Sequence, residues 1–253
     1  MVATATRRVE HVMGTAVSFD IRSSIADEAL TEAVALLHWV DRTFSVFRPD
    51  SQISRIGRGG LAADDAEPEV REVLVACEAL RAATEGWFQH EPAVRLDRPL
   101  DPSGYVKGWA IQRAADVLRF SGATDFCVSG GGDVVTSGHP AAGRPWQVGV
   151  RHPLDREEIA AVIEVRDAAV ATSGAYERHE HIWSNRSSEA SLLSVTVVGP
   201  DLGLADGLAT AIFSAGTIDV PWLPKFPDHE VLVIDRELRL LWRRRIDVAV
   251  GRP

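Results

Sequence analysis

The chain has 253 residues, of which 45% are hydrophobic and 25% charged, a composition typical of a globular protein with a sizeable core. The formal net charge of −9 disfavours a nucleic-acid or membrane-surface binder, because such proteins carry a basic face. The two cysteines, Cys77 and Cys127, stand in apolar contexts and are predicted to be buried thiols without a disulfide. With no secretory signal and no apolar run of membrane-spanning length, we expect a cytoplasmic protein without a membrane anchor.

The first part of the chain is predicted to contain one strand pair and three helices. Residues 8–21 alternate apolar and polar side chains around Met13-Gly14-Thr15, which predicts two strands joined by a turn or bulge. Residues 57–65 are predicted to form a loop. Apolar side chains at helical spacing predict helices at about residues 24–40, 68–86 and 105–120.

Short strands dominate the second part of the chain. One helix, at residues 202–215, interrupts them. The predicted strands lie at residues 125–129, 146–151, 159–165, 168–172, 192–198, 231–234 and 238–242. Because helices cluster early and strands late, without a repeating strand–helix–strand order, the pattern favours an α+β fold.

The helix of the second part carries a polar pair. At 100° per residue, Asp206 and Thr210 lie at i and i+4 on one side, so their oxygens project together. Their neighbours on that side are apolar, so the Asp206 carboxylate needs a buried partner. A hard cation held by carboxylate, hydroxyl and carbonyl oxygens is one such partner. A helix N-cap or a buried hydrogen bond is the alternative.

Two glycine-containing segments are candidates for binding an anion. Residues 130–132 are all glycine, which permits positive φ and a close approach of a ligand to backbone N–H groups. A glycine bulge between two strands is the alternative, and the strand that follows disfavours a Rossmann dinucleotide site. Lys107 stands between Gly104 and Gly108 at the entry to a helix, where a cation and backbone amides can meet phosphate. A surface lysine is the alternative there.

A further polar segment follows the strand that ends at Thr172-Ser173-Gly174. In this segment His179 and His181 share one face of an extended run. A histidine here is a candidate general base or phosphate contact, and an exposed loop position is the alternative. The HxH spacing also occurs in zinc sites, but no cysteine or third clustered ligand supports zinc here.

Taken in order along the chain, these segments resemble successive blocks of the ApbE family. The blocks are MGTAVSFDIR, FSVFRPDSQISRI, LDPSGYVKGWAIQ, SGGGDVVTSG, AVATSGAYER and ADGLATAIFSAG, and they span residues 13–216. The resemblance implies a single domain over residues 1–253 with a two-lobed α+β fold. It also implies that FAD binds between the lobes, with Mg²⁺ at its pyrophosphate.

The resemblance implies a role for particular residues. Asp206 and Thr210 would be metal ligands, with the backbone carbonyl of Val106 as a third. His181 would be the catalytic residue, near the reacting phosphate. The residues expected to line the flavin site are Met13, Phe47, Lys107, Gly131, Thr172, Ser173 and Gly174.

The reaction that the resemblance implies is the transfer of FMN from FAD to an acceptor flavoprotein. A Thr or Ser hydroxyl of the acceptor attacks the FMN phosphorus, and AMP leaves. The sequence departs from the family pattern at Phe47, where a Tyr is usual, at Gln89-His90, near an expected Asp, and at Ser184-Asn185, where Asp-Pro is usual. These departures leave two alternatives open, which are FAD hydrolysis to FMN and AMP, and FAD binding without turnover.

Overall fold

The computed structural model describes residues 5–24, 27–91, 99–155, 157–174 and 192–243. Its helices are α1 (Asp27–Phe44), α2 (Gln52–Gly57), α3 (Pro68–Ala83), α4 (Ser103–Phe120) and α5 (Leu202–Ala215). Its strands are β1 (Thr6–Val12), β2 (Thr15–Ile21), β3 (Phe126–Gly130), β4 (Asp133–Ser137), β5 (Trp146–Arg151), β6 (Ile159–Val165), β7 (Ala169–Gly174), β8 (Leu192–Gly199), β9 (Glu230–Asp235) and β10 (Leu240–Arg243). Short 3-10 turns lie at Ala63–Asp65 and Leu223–Lys225.

The structure adds short helical pieces that the sequence pattern did not predict. Helix α2 has six residues and is capped by the preceding Ser51, whose side chain accepts a hydrogen bond from the Ser54 N–H at 3.0 Å. A 3-10 turn lies within the stretch that was predicted to be a loop. Helix α4 begins two residues before the predicted start, and the Asp101 carboxylate accepts the Ser103 N–H at 3.1 Å. Such short or terminal turns carry too few residues for a helical period to be visible.

Eight strands form one sheet in the order β1-β2-β3-β4-β7-β8-β9-β10, and β5 and β6 form a separate hairpin. Every pairing in both sheets is antiparallel. The described residues contain no parallel pair, and the connections range from the two-residue turn between β1 and β2 to the long segment with α1–α4 between β2 and β3. The predicted α+β class is confirmed.

Both faces of the large sheet are covered, and β7 shows how. Ala169 and Ala171 belong to the main core beneath α4 and α5, whereas Val170 between them belongs to a second core. Successive side chains of a strand point to opposite faces, so the helices and the β5–β6 hairpin lie on opposite sides of the sheet. The hairpin contributes four buried residues to the second core, Trp146, Val150, Ile163 and Val165.

The helical layer packs closely where α4 and α5 cross. A Cβ atom at Gly108 would collide with the carbonyl oxygen of Leu202 and lie 2.9 Å from Cβ of Asp206. One turn earlier in α4, a Cβ atom at Gly104 would lie 3.3 Å from Thr210 Oγ1. The two glycines therefore bring the start of α4 against the polar side of α5. No described helix has the length and apolarity to cross a bilayer.

Candidate functional site

Two tight hairpin turns lie side by side at one end of the large sheet. The β1–β2 turn has φ of 54° at Met13 and 71° at Gly14, and the β3–β4 turn has φ of 53° at Gly131 and 84° at Gly132. Two successive positive φ values are the signature of the type I′ hairpin. A Cβ atom at Gly131 would lie 3.3 Å from Thr15 Oγ1, so the two turns are in contact. Gly131 and Gly132 therefore form a two-residue hairpin turn between β3 and β4, and Gly130 is the last residue of β3.

Two adjacent cavities open beside these turns. The large cavity has a volume of about 760 Å³ and the small cavity about 390 Å³. Ala16, Gly131, Gly132 and Arg151 line both of them. The large cavity is bounded by α1, the following loop and the start of α4, and the small cavity by β3, β4 and one strand of the hairpin. A ligand longer than either cavity can therefore lie across both.

Two buried carboxylates meet beside the large cavity. Asp133 of β4 and Asp206 of α5 both have no exposed side-chain surface. Lys107 Nζ forms an ion pair with Asp133 Oδ2 and lies 3.6 Å from Asp206 Oδ2. Asp206 Oδ2 also accepts the Gly108 N–H at 3.2 Å, and Asp133 Oδ1 accepts the N–H of Thr172 at 3.4 Å. A single ammonium thus stands between two buried carboxylates.

Two hydroxyl groups complete this acidic cluster. Thr210 Oγ1 and Ser173 Oγ lie 3.4 Å apart, and both residues are buried. We use the name acidic cluster for Lys107, Asp133, Ser173, Asp206 and Thr210. It contains two carboxylates and one ammonium, and a buried carboxylate is stabilised by nearby cations and hydrogen-bond donors.

The acidic cluster suits a hard divalent cation. Carboxylate and hydroxyl oxygens are the donors that Mg²⁺ prefers, and Mg²⁺ takes its remaining ligands from water or substrate phosphates. The described residues contain no group of three His, Cys, Asp or Glu side chains placed for a metal, so the acidic cluster by itself offers a partial set of ligands. Val106 is buried in the first turn of α4 and lines the large cavity, close to the cluster.

The residues that sequence analysis assigned to the flavin site divide between the cavities and the acidic cluster. Phe47, at the rim, is 66% exposed. Ser173 and Gly174 are buried at the end of β7 and line neither cavity among the described residues. Met13, Phe47, Val106, Lys107 and Gly131 line the large cavity, and Gly131 and Thr172 the small one. His181 lies outside the described residues, and so do His179 and Ser184-Asn185.

The structure excludes some of the alternative roles that the sequence left open for Asp206 and Lys107, and it places Gln89 and His90. The N-cap of α5 is Asp201, whose carboxylate accepts the Leu204 N–H at 2.8 Å, so Asp206 is not the cap. Lys107 is half-buried within the acidic cluster, with its side chain 17% exposed, and is not a surface lysine. Gln89 donates a hydrogen bond to the Gly86 carbonyl at 2.7 Å, and His90 is buried with its ring stacked on Phe88.

Sequence analysis missed two residues of the site. Asp133 follows the glycine turn directly and precedes two valines, and this carboxylate at the start of a strand was the available signal. Arg151 ends an amphipathic strand, where an arginine gives no signal of its own. Its position depends on how the β5–β6 hairpin folds over the sheet.

The two cysteines do not supply a nucleophile. Cys77 is fully buried, and burial raises the pKa of its thiol. Cys127 lines the small cavity, but burial raises the pKa of its thiol to about 12. The thiolate is the reactive form, so both side chains are unreactive near neutral pH. Both are free thiols, as the sequence predicted.

The fold and site define an antiparallel α+β protein whose ligand groove opens beside a buried cluster of oxygen donors. Comparison with family models assigns it more narrowly, because residues 13–97 and 93–233 match the model described as the ApbE family. The chain belongs to the ApbE family. The resemblance noted from the sequence blocks is thereby confirmed.

Individual relatives agree with this assignment. The chain is 33% identical over 129 residues to a FAD:protein FMN transferase of Vibrio cholerae, and 34% identical over 140 residues to one of Rhodobacter capsulatus. These alignments cover 46% and 51% of this chain but 39% and 26% of the relatives, so the matched region is well under half of their length.

Solved structures share the fold across nearly the whole chain. The flavin transferase ApbE from Vibrio cholerae superposes with a TM-score of 0.80 at 24% identity, covering 95% of this chain and 97% of that one. The ApbE protein from Thermotoga maritima gives a TM-score of 0.77 at 20% identity, covering 94% and 96%. At these identities the likeness establishes the fold.

Proposed function

We propose that this chain transfers FMN from FAD to a Thr or Ser hydroxyl of an acceptor flavoprotein, with Mg²⁺ as the metal and AMP as the second product. The observation that carries the proposal is the acidic cluster beside two adjacent cavities. A groove of this form can hold a dinucleotide across both cavities with its pyrophosphate next to the oxygen donors. Two relatives over 30% identical to this chain are named FAD:protein FMN transferases, which supports the same activity.

Each part of the groove has a task in the proposed reaction. The flavin ring occupies the large cavity, where Met13 and Phe47 offer apolar surface. Asp206, Thr210 and the carbonyl of Val106 would hold Mg²⁺, with Asp133 as a further carboxylate close to the same ammonium. Mg²⁺, when bound, supplies positive charge that stabilises the phosphate oxygens as negative charge develops on them.

The reaction balances as a substitution at phosphorus. The acceptor hydroxyl oxygen forms a bond to the FMN phosphorus, and the bond from that phosphorus to the oxygen shared with AMP breaks. The hydroxyl proton goes to a base, for which His181 is our candidate, and AMP leaves. Lys107 offers its ammonium to the pyrophosphate beside the metal. FMN remains attached to the acceptor by a phosphoester.

The test is to incubate the protein with FAD, Mg²⁺ and a flavoprotein domain from the same genome that carries an exposed Thr or Ser. We expect the acceptor to gain the mass of one FMN and AMP to appear in equal amount. The Asp206→Asn variant should lose this activity, because it removes a buried carboxylate from the metal ligands. Asp201→Asn is the matched control, since asparagine also caps a helix and Asp201 lies on α5 outside the cluster.

The products distinguish the proposal from its two alternatives. Release of AMP and free FMN without any acceptor indicates hydrolysis. Tight FAD binding with no AMP indicates a binding protein. The proposed transfer is contradicted if the wild-type chain, with Mg²⁺ and acceptor both present, gives only free FMN and AMP, or binds FAD and gives no AMP.

A further inference from the structure

Arg151 is a cationic residue that lines both cavities of the groove. It is the last residue of β5, and it is exposed. The register between β5 and β6 shifts between Val150 and Arg151. The extra residue of this bulge is Ala160 of β6, and bulges are common next to binding sites. Gln147 and Gly149 lie on the same face of β5 and line the small cavity as well.

The backbone that carries Arg151 is well anchored. Val150, its neighbour, is 2% exposed and packs in the second core against the large sheet. On the other side, the ring nitrogen His152 Nδ1 accepts the N–H groups of Leu154 and Asp155 at 3.3 and 3.2 Å, which fixes the turn after the strand. The guanidinium therefore projects from a defined position and not from a free loop.

The charges of the groove leave Arg151 available for an anion. Lys107 and Arg151 are the cations among the described residues that line the two cavities, and Asp41 and Asp133 are the carboxylates. Lys107 is held by the acidic cluster. Arg151 makes no ion pair or hydrogen bond through its guanidinium with any described residue. A planar guanidinium presents paired donors that match the oxygens of a phosphate group.

We propose that Arg151 binds the pyrophosphate of FAD from the hairpin side, across the groove from the acidic cluster. The proposal rests on the proposed function, because it assumes that FAD lies across both cavities. The pyrophosphate is the part of FAD between its two ring systems, so it lies where the cavities share their lining. Arg151 thus gives the groove a preference for phosphorylated flavins over riboflavin, which has no anionic group.

Equilibrium binding of FAD and of riboflavin, followed by quenching of flavin fluorescence, tests this role. Arg151→Gln should weaken FAD binding by about 10-fold, because it removes charge-assisted hydrogen bonds to phosphate at a position that solvent partly screens. Riboflavin binding should change by less than about 2-fold, because the lost group faces only phosphate. Arg151→Lys keeps the charge but lacks the paired donors, so its affinity for FAD should lie between that of the wild type and that of Arg151→Gln.

Arg144→Gln is the control, because this arginine is also exposed and lies just before the same strand, yet lines neither cavity. It should bind FAD as the wild type does. The inference is overturned if Arg151→Gln leaves FAD affinity unchanged, or if FAD and riboflavin weaken by the same factor. Circular dichroism checks that the variant folds, and if it does not, Arg151→Lys decides by the same comparison.

The two proposals fail in distinguishable ways. If the wild type binds FAD more tightly than riboflavin in an Arg151-dependent manner but transfers no FMN, only the proposed function fails. If the wild type transfers FMN while Arg151→Gln binds FAD normally, only the role of Arg151 fails.

Discussion

Replacing Gly108 with alanine perturbs the point where the backbones of α4 and α5 come closest. The new methyl group would meet the carbonyl oxygen of Leu202, a backbone atom of α5, and would lie 2.9 Å from Cβ of Asp206. Neither contact can be relieved by rotating a side chain, so one helix must move. The movement would also lengthen the 3.2 Å hydrogen bond from the Gly108 N–H to Asp206.

The expected size of the effect follows from two opposing contributions. In an exposed helix, alanine is about 1 kcal/mol more favourable than glycine. Overpacking a rigid core costs about 1–3 kcal/mol, and contact with backbone places this site at the upper end or beyond it. We therefore expect the free energy of unfolding to fall by about 2 kcal/mol. The affinity for Mg²⁺ should fall as well, since the perturbation reaches the Asp206 carboxylate.

Urea unfolding, followed by tryptophan fluorescence and circular dichroism, measures the change. Gly207→Ala is the matched control, because it changes a glycine of the same helix pair next to Asp206. There the nearest atom is Leu80 Cδ2, the tip of a flexible side chain that can rotate away. Gly207→Ala should therefore cost less than Gly108→Ala. The reasoning is refuted if Gly108→Ala is as stable as the wild type, or if both variants lose the same stability.

Three further predictions concern charge and protonation. Lys107→Met should lower the free energy of unfolding by about 3–5 kcal/mol, because two buried carboxylates lose a neighbouring cation. Mg²⁺ should raise the Tm of this variant more than that of the wild type. An equal rise in Tm would contradict the charge argument. Cys77 and Cys127 should react with a thiol reagent at about pH 8 only after unfolding in urea, since burial raises the pKa of both thiols. Rapid labelling of either thiol in the folded protein would contradict this prediction. Burial lowers the pKa of His229 below its ordinary value of 6.5, and neither ring nitrogen has a hydrogen-bond partner among the described residues. His229 of the unfolded chain therefore takes up a proton at a higher pH than His229 of the folded chain. The contribution of the neutral ring to the free energy of unfolding is thus complete above pH 6.5, and it is lost as the pH falls toward the folded pKa. As the pH is lowered from 6.5, the urea midpoint should fall less steeply in His229→Leu than in the wild type. Equal slopes in the two proteins would refute this role of His229.

Features that depend on local periodicity could be predicted from the sequence. The bounds of β5, β6 and α5 agree with the pattern of apolar residues, because a strand or helix with one polar side repeats its signal over several residues. Asp206 and Thr210 were assigned to one side of α5 for the same reason. The ordered blocks then linked them to a family, which the match over residues 13–97 and 93–233 confirms.

The rest of the site could not be predicted, because it depends on contacts between distant parts of the chain. Asp133 meets Lys107 only because β4 lies beneath α4, and it stands 26 residues from Lys107 in sequence. Arg151 reaches the groove only because the β5–β6 hairpin covers the second face of the sheet. No single-residue pattern encodes these placements, which follow from strand order and from the close crossing of α4 and α5.

The acidic cluster explains why a metal and a phosphate ligand are expected to bind together in this groove. Asp133 and Asp206 place negative charge next to the groove, and a divalent cation bound by their oxygens would offset it. Such a cation would share the carboxylates with Lys107, whose ammonium would then be able to donate to a phosphate oxygen. Lys107 and Mg²⁺ on one side and Arg151 on the other would thus surround the pyrophosphate, whereas riboflavin would gain nothing from the metal. On this reasoning Mg²⁺ should tighten the binding of FAD and leave the binding of riboflavin unchanged.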